Sequence, residues 1–198
     1  MRSAMAISMA TETATLQTLS VGADLAALQA AVLRIAEAPL TVTCASGSSG
    51  FAAAKFAHTL CCVEQSAKFM PPHEAIHGGM GCIKAGDVVV MVSRGGKTQE
   101  LFPIMDVVLT KKAYLIVVTE NTDSRLAQRA DLVLVMHVDQ ESDPLGLMAS
   151  SSFLATVAIF DALIAGIIQH TGYTREQFGL IHPGGAVGEL LNTVSTAP

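Results

Sequence analysis

The most constraining feature of this chain is an apolar run, Val88 to Val92 (VVVMV), which stops at Ser93, crosses Gly95 and Gly96, and becomes a helical pattern from about Gln99 to Leu109. A strand with no polar position suits a central parallel strand buried on both faces, not one with a wet face. Ser93 then stands at its carboxyl end, where open α/β sheets bind ligands. The glycines permit positive φ and close backbone approach, and Thr98 reads as the N-cap of the following helix. A helix start with free amides attracts anions. Arg94 and Lys97 add two cations to the loop, so the ligand class indicated is phosphate or another compact oxyanion. Such turns also carry Gly, Ser and Thr for purely structural reasons.

A second stretch of the same kind strengthens the reading. Leu40 to Gly50 (LTVTCASGSSG) is a short β-branched strand running into a Gly/Ser loop, with a helical stretch from Phe51 to Cys61 behind it. Two hydroxyl-bearing loops on adjacent strands can face one phosphate. Ser48 and Ser49 on the first loop, and Ser93, Gly95, Gly96, Lys97 and Thr98 on the second, are the candidate phosphate ligands.

Strands and helices alternate along the rest of the chain. Thr11 to Ala38 has helical apolar spacing and is ended by Pro39. Gln65 to Met70 reads as a short strand, His73 to Gly81 as a loop or short helix, Tyr114 to Thr119 and Leu132 to Met136 as further strands. Ser124 caps a short helix to Ala130, and a long helix runs from about Met148 to His170, with Gly172 as its stop. Thr174 caps another short helix, and a last one is expected from about Ala186 to Asn192. The pattern predicts an α/β three-layer sandwich, with a mostly parallel five-stranded sheet flanked by helices in a flavodoxin- or Rossmann-like manner.

Composition narrows the partners. Hydrophobic residues are 51% of the 198 and charged residues 15%, below the usual quarter or so. Too little polar surface for a monomer predicts a buried homodimer or homotetramer interface. A net charge of −5 with no Trp argues against nucleic acid. Phe153 to Ile168, interrupted by Asp161, falls short of the roughly 20 residues that cross a bilayer, so no membrane is expected. No targeting segment is evident near Met1, and Cys44, Cys61, Cys62 and Cys82 read as reduced core residues, so the expected setting is cytoplasmic. His73 and His77 have i, i+4 spacing without further ligands nearby, and neither a metal nor a cofactor is expected.

The two loops, with three further motifs, resemble those of the sugar isomerase (SIS) domain, and within it the arabinose-5-phosphate isomerase type. Its loops read close to G-x-G-K-S-G and S-N-S-G-E-T/S. The other matches are Ala75 to Gly78 (AIHG), Glu141 to Leu147 (ESDPLGL) and Ile181 to Gly188 (IHPGGAVG). The resemblance spans roughly Leu40 to Leu191, and it implies one SIS domain at 40–198 behind an N-terminal helix, 1–39, that packs in the oligomer. Some members continue into paired CBS domains; a chain ending shortly after Asn192 is expected to lack them.

The chemistry implied is interconversion of an aldose phosphate and its ketose through an enediol or enediolate. The resemblance carries catalytic roles onto Glu100, Glu141 and His182, and adds His77 as a further site residue. The family lysine falls on Ser48, a neutral hydroxyl, and Arg94, Gly95 and Lys97 stand where Asn, Ser and Glu are usual. Arg94 and Lys97 are therefore the candidates to replace the missing charge. The alternative is a phosphosugar-binding protein without turnover. Which sugar phosphate binds is set by side chains that sequence alone does not place.

Overall fold

The computed structural model describes residues 1–185 and Gly188. Five strands, β1 (Thr41–Cys44), β2 (Ala67–Phe69), β3 (Val88–Val92), β4 (Tyr114–Thr119) and β5 (Leu132–Val135), form one all-parallel sheet in the order β2-β1-β3-β4-β5. The order reverses between β1 and β3, the topological switch point at which such sheets bind ligands. Thr43 pairs with Val90 and Cys44 with Met91, so the loops leaving β1 and β3 emerge side by side.

The eight helices among the described residues are α1 (Arg2–Gly22), α2 (Leu25–Glu37), α3 (Gly47–Cys62), α4 (Pro72–Ala75), α5 (Phe102–Thr110), α6 (Arg125–Arg129), α7 (Ser151–Thr171) and α8 (Arg175–Ile181). Every residue of β3 is buried because successive side chains enter opposite layers. Val88, Val90 and Val92 pack with α2, α3 and α7, whose contributions include Ile35, Phe56 and Phe160. Val89 and Met91 pack on the other face with Ile104, Met105 and Leu126 of α5 and α6. The three-layer α/β sandwich expected from the sequence is the fold observed.

Several boundaries differ from the sequence reading. The N-terminal helical pattern is two helices meeting at 85°, because Asp24 accepts hydrogen bonds from the amides of Ala26 and Ala27 and starts α2 afresh. Helix α3 begins at Gly47, not Phe51, which places Ser48 and Ser49 in its first turn. After β3, Gln99–Leu101 is a 3-10 turn and α5 starts at Phe102; Thr98 makes no side-chain cap, since its hydroxyl is engaged by Ser93. Ser124, Gly172 and Thr174 do what was expected of them, the last within a capping box with Gln177. Helix α7 extends to 21 residues, long and apolar enough to cross a membrane, yet nine of its residues are buried in the domain. The helix expected at Ala186 to Asn192 lies outside the described residues.

Candidate functional site

Strand β1 ends at Cys44, and the chain turns through Ala45 and Ser46 into α3. Ser46 occupies the N-cap position but does not cap the helix. Its hydroxyl donates to the Glu100 carboxylate at 2.9 Å instead, joining the first loop to the second. The first amides of a helix lack intrahelical acceptors, so this start faces the crevice with open donors and a partial positive charge. Ser48 is exposed and Ser49 half-buried in that turn.

Strand β3 delivers the second loop. Ser93 is buried, and its hydroxyl pairs with that of Thr98 at 2.9 Å, closing the loop on itself. The Gly96 amide donates to the Ser93 carbonyl at 3.0 Å and is therefore not available to a ligand, contrary to the sequence reading. The amides of Gly95, Lys97 and Thr98 have no acceptor among the described residues. Lys97 is exposed and forms no ion pair among them.

Arg94 is not the free cation expected from the sequence. Its guanidinium donates from Nε to Glu120 at 2.7 Å, from Nη1 to Glu141 at 2.7 Å, and from Nη2 to the Val138 carbonyl at 3.2 Å. It thus turns away from the switch point and lies across the ends of β4 and β5. Its charge is offset by two carboxylates, so Lys97 is left as the cation of this loop.

Glu141 is buried, its side chain 5% exposed. One oxygen meets Arg94; the other accepts from the Ser150 and Ser152 amides at 2.9 and 3.1 Å and from the Ser150 hydroxyl at 3.2 Å. Burial pushes its pKa up, but the hydrogen bonds from Ser152 and Ser150 and the charge of Arg94 outweigh it, leaving the carboxyl below its ordinary range.

The two histidines lie apart. His77 is exposed on the turn after α4. His182 caps the C-terminus of α8, its ring stacked on Phe178 at 3.8 Å between centroids and its Nδ1 at 2.9 Å from the Phe178 carbonyl. Helix α8 is moored through Gln177 to Glu64, beyond the far end of α3 from Ser48. At about 1.5 Å per residue that end is roughly 25 Å away. Within one chain the fold bonds Ser46 to Glu100 and Ser93 to Thr98, and moors the helix that ends before His182 to Glu64, past the end of α3. Cys44 is sealed below the crevice, its pKa pushed up to about 12 by burial, and is not a reactive thiol.

A cleft of about 820 Å³ opens beside the first loop, lined by Ser46, Gly47, Phe51, Phe69, Ile76 and Glu100 among others. This is a suitable size for a small-molecule site. Sequence reasoning passed over Ser46, because the helix start was read at Phe51 and not at Gly47. It also passed over Glu120, whose only signal was an acidic residue directly after the Tyr114 strand.

A doubly wound parallel sheet with two hydroxyl-bearing loops converging at its switch point defines the class of α/β proteins that bind ligands in the crevice there. The chain belongs to the SIS domain family, whose model matches residues 34–166. Among curated relatives it is 37% identical over 145 residues to arabinose 5-phosphate isomerase KdsD of Yersinia pestis, covering 73% of this chain and 44% of that one. To the same enzyme of Pseudomonas aeruginosa it is 36% identical over 164 residues, covering 83% and 50%. The chain thus spans about half the length of the curated relatives it matches. Among solved structures, an Escherichia coli CFT073 protein, c3406, in complex with arabinose 5-phosphate superposes with a TM-score of 0.85 at 28% identity, covering 90% of this chain and 95% of that one. A Listeria monocytogenes protein described as a candidate sugar-phosphate isomerase gives 0.88 at 36%, covering 92% and 96%.

Proposed function

We propose that this protein is a sugar-phosphate isomerase that interconverts an aldose phosphate and its ketose, with arabinose 5-phosphate as the first substrate to test. The observation that carries the reading is the Ser46–Glu100 hydrogen bond, which sets a carboxylate beside the uncapped start of α3 at the switch point. In this reading the phosphate is held by Ser48, Ser49 and Thr98 and by the open amides of Gly95, Lys97 and Thr98, while the Lys97 side chain is aimed at the reacting end of the sugar. Ser93 holds Thr98 in place. Glu100 takes the proton from C2 and returns it to C1, and the negative charge that develops on the enediolate oxygens faces Lys97 and the α3 amides.

Ring opening needs a group that moves a proton near neutral pH, which suits a histidine. His182 serves from a second copy of the chain, as the resemblance implies; the mooring of α8 to Glu64, past the end of α3, supports this. His77, the residue after Ile76 of the cleft lining, is a further candidate. Segment 1–39 is the assembly element: Met5, Ile7, Met9 and Val21 of α1 are exposed, an apolar surface that a partner copy would cover. The setting proposed is cytoplasmic.

The test is NMR in deuterated water with arabinose 5-phosphate and other C5 and C6 sugar phosphates. Deuterium entering C1 or C2 is the expected result. Binding without exchange by any of these sugars would overturn turnover and leave a phosphosugar-binding protein.

A further inference from the structure

The resemblance to arabinose-5-phosphate isomerases implies catalysis by Glu141, but the surroundings of this carboxylate do not fit a group that moves protons. Both of its oxygens are engaged: Arg94 on one, and two amides and a hydroxyl at the start of α7 on the other. A carboxylate with a lowered pKa, a charged partner and a helix N-terminus is a poor base, because each contact stabilises the ionised form it would have to leave. The same contacts make it a good anchor.

What it anchors is the second loop. Arg94 is the residue directly after Ser93, and its carbonyl accepts from the Glu120 amide and the Thr119 hydroxyl, both at 2.9 Å. Its side chain reaches Glu120 and Glu141, so backbone and side chain together tie the loop to the ends of β4 and β5. The network continues outward. Ser142, next to Glu141, accepts at 2.9 Å from the Ser8 hydroxyl and donates at 3.0 Å to Glu12, both on α1. The Ser142 amide in turn donates to the Ser150 hydroxyl at 2.8 Å. One hydrogen-bonded chain therefore joins α1, the 138–150 loop, the start of α7 and the phosphate loop.

We propose that Glu141 and Arg94 are a pair of positioning residues, which hold the Ser93–Thr98 loop in its phosphate-binding shape, and that Glu141 takes no proton from the substrate. The inference rests on the sugar-phosphate reading of that loop. Arg94 stands where the resembling family usually has Asn, and it is this Arg that binds the carboxylate to the loop.

The experiment uses the full chain with arabinose 5-phosphate and the variants Glu141→Gln, Arg94→Met, Arg94→Lys and the Glu141→Gln/Arg94→Met double. Positioning predicts that each of the first two raises KM about tenfold while kcat stays within about threefold, with the pH profile of kcat unchanged. The double variant is expected to be no worse than Arg94→Met alone, because Glu141 reaches the loop through Arg94. Arg94→Lys, which keeps the charge and loses the fork, should recover part of the KM. Amide exchange over residues 93–98 without ligand should quicken equally in Glu141→Gln and Arg94→Met. A Glu141→Gln enzyme with wild-type KM, a collapsed kcat and a lost pH limb would overturn the proposal in favour of catalysis. So would unchanged exchange at 93–98. Should wild type turn over no sugar phosphate, the isomerase reading falls, and amide exchange with inorganic-phosphate affinity in the same variants still decides the clamp.

Discussion

Gly96 shows how tightly one residue can be specified. Its φ is +64°, and a Cβ there would collide with the Ser124 side chain, which caps α6. Gly96→Ala therefore has to distort either the Ser93–Thr98 loop or the α6 cap, and about 2 kcal/mol of lost stability is expected from the strained backbone and overlap. Urea unfolding with a midpoint unchanged from wild type would show that the loop is softer than its geometry indicates. Lys97 is a different kind of residue, exposed and specified by chemistry. A cation near a developing enediolate is worth roughly 10²- to 10³-fold in rate, so Lys97→Met should lower kcat more than it raises KM. Ser48→Lys, placing the family's cation at the start of α3, should accelerate isomerisation. An unchanged kcat in Lys97→Met together with wild-type turnover by Ser48→Lys would mean that neither position faces the transition state.

At the scale of elements, the layer of α2, α3 and α7 is held by close approach and stacking. Gly166 lets α7 come against α2, where an added Cβ would stand 2.7 Å from Val32 Cγ2. Phe56 and Phe160 stack at 4.1 Å between centroids, and Lys55 pairs with Asp161 at the rim. Gly166→Val should push these helices apart and cost about 1 to 3 kcal/mol, read as a lower Tm without loss of secondary structure; an unchanged Tm would contradict the packing. The start of α7 has its own pH dependence. The folded pKa of Glu141 lies below its ordinary value of 4.5, so its contribution is complete above that value and is lost as pH falls through the folded pKa. Stability of wild type should therefore drop below about pH 4.5 more steeply than that of Glu141→Gln. Parallel acid limbs for the two proteins would count against the ion pair.

For the whole molecule, the separation of His182 from the Ser46–Glu100 crevice makes assembly part of the catalytic proposal. Sedimentation at micromolar concentration should show a dimer or tetramer, and mixing inactive Glu100→Gln and His182→Ala proteins should restore turnover in a fraction of the sites. A monomer that turns over, or mixtures as inactive as their parents, would remove the shared site.

The sequence by itself determined the layers, the strand runs and the two loops. Those depend on local signals: apolar runs of strand length, Gly and Ser at the turns, and caps at Ser124 and Thr174 whose partners lie three residues away. It failed where a local signal was ambiguous, as at Asp24, where apolar spacing continues across a sharp bend. Tertiary structure alone decided the fate of the charges. Arg94 and Lys97 are three positions apart in one loop, yet one is held by Glu120 and Glu141, 26 and 47 residues on, and the other faces solvent. No periodicity reports such a pairing, because it is set by which strand ends the parallel sheet brings side by side. The mooring of α8 was hidden for the same reason: the motif names His182, but the bond that ties its helix to Glu64 spans 113 residues.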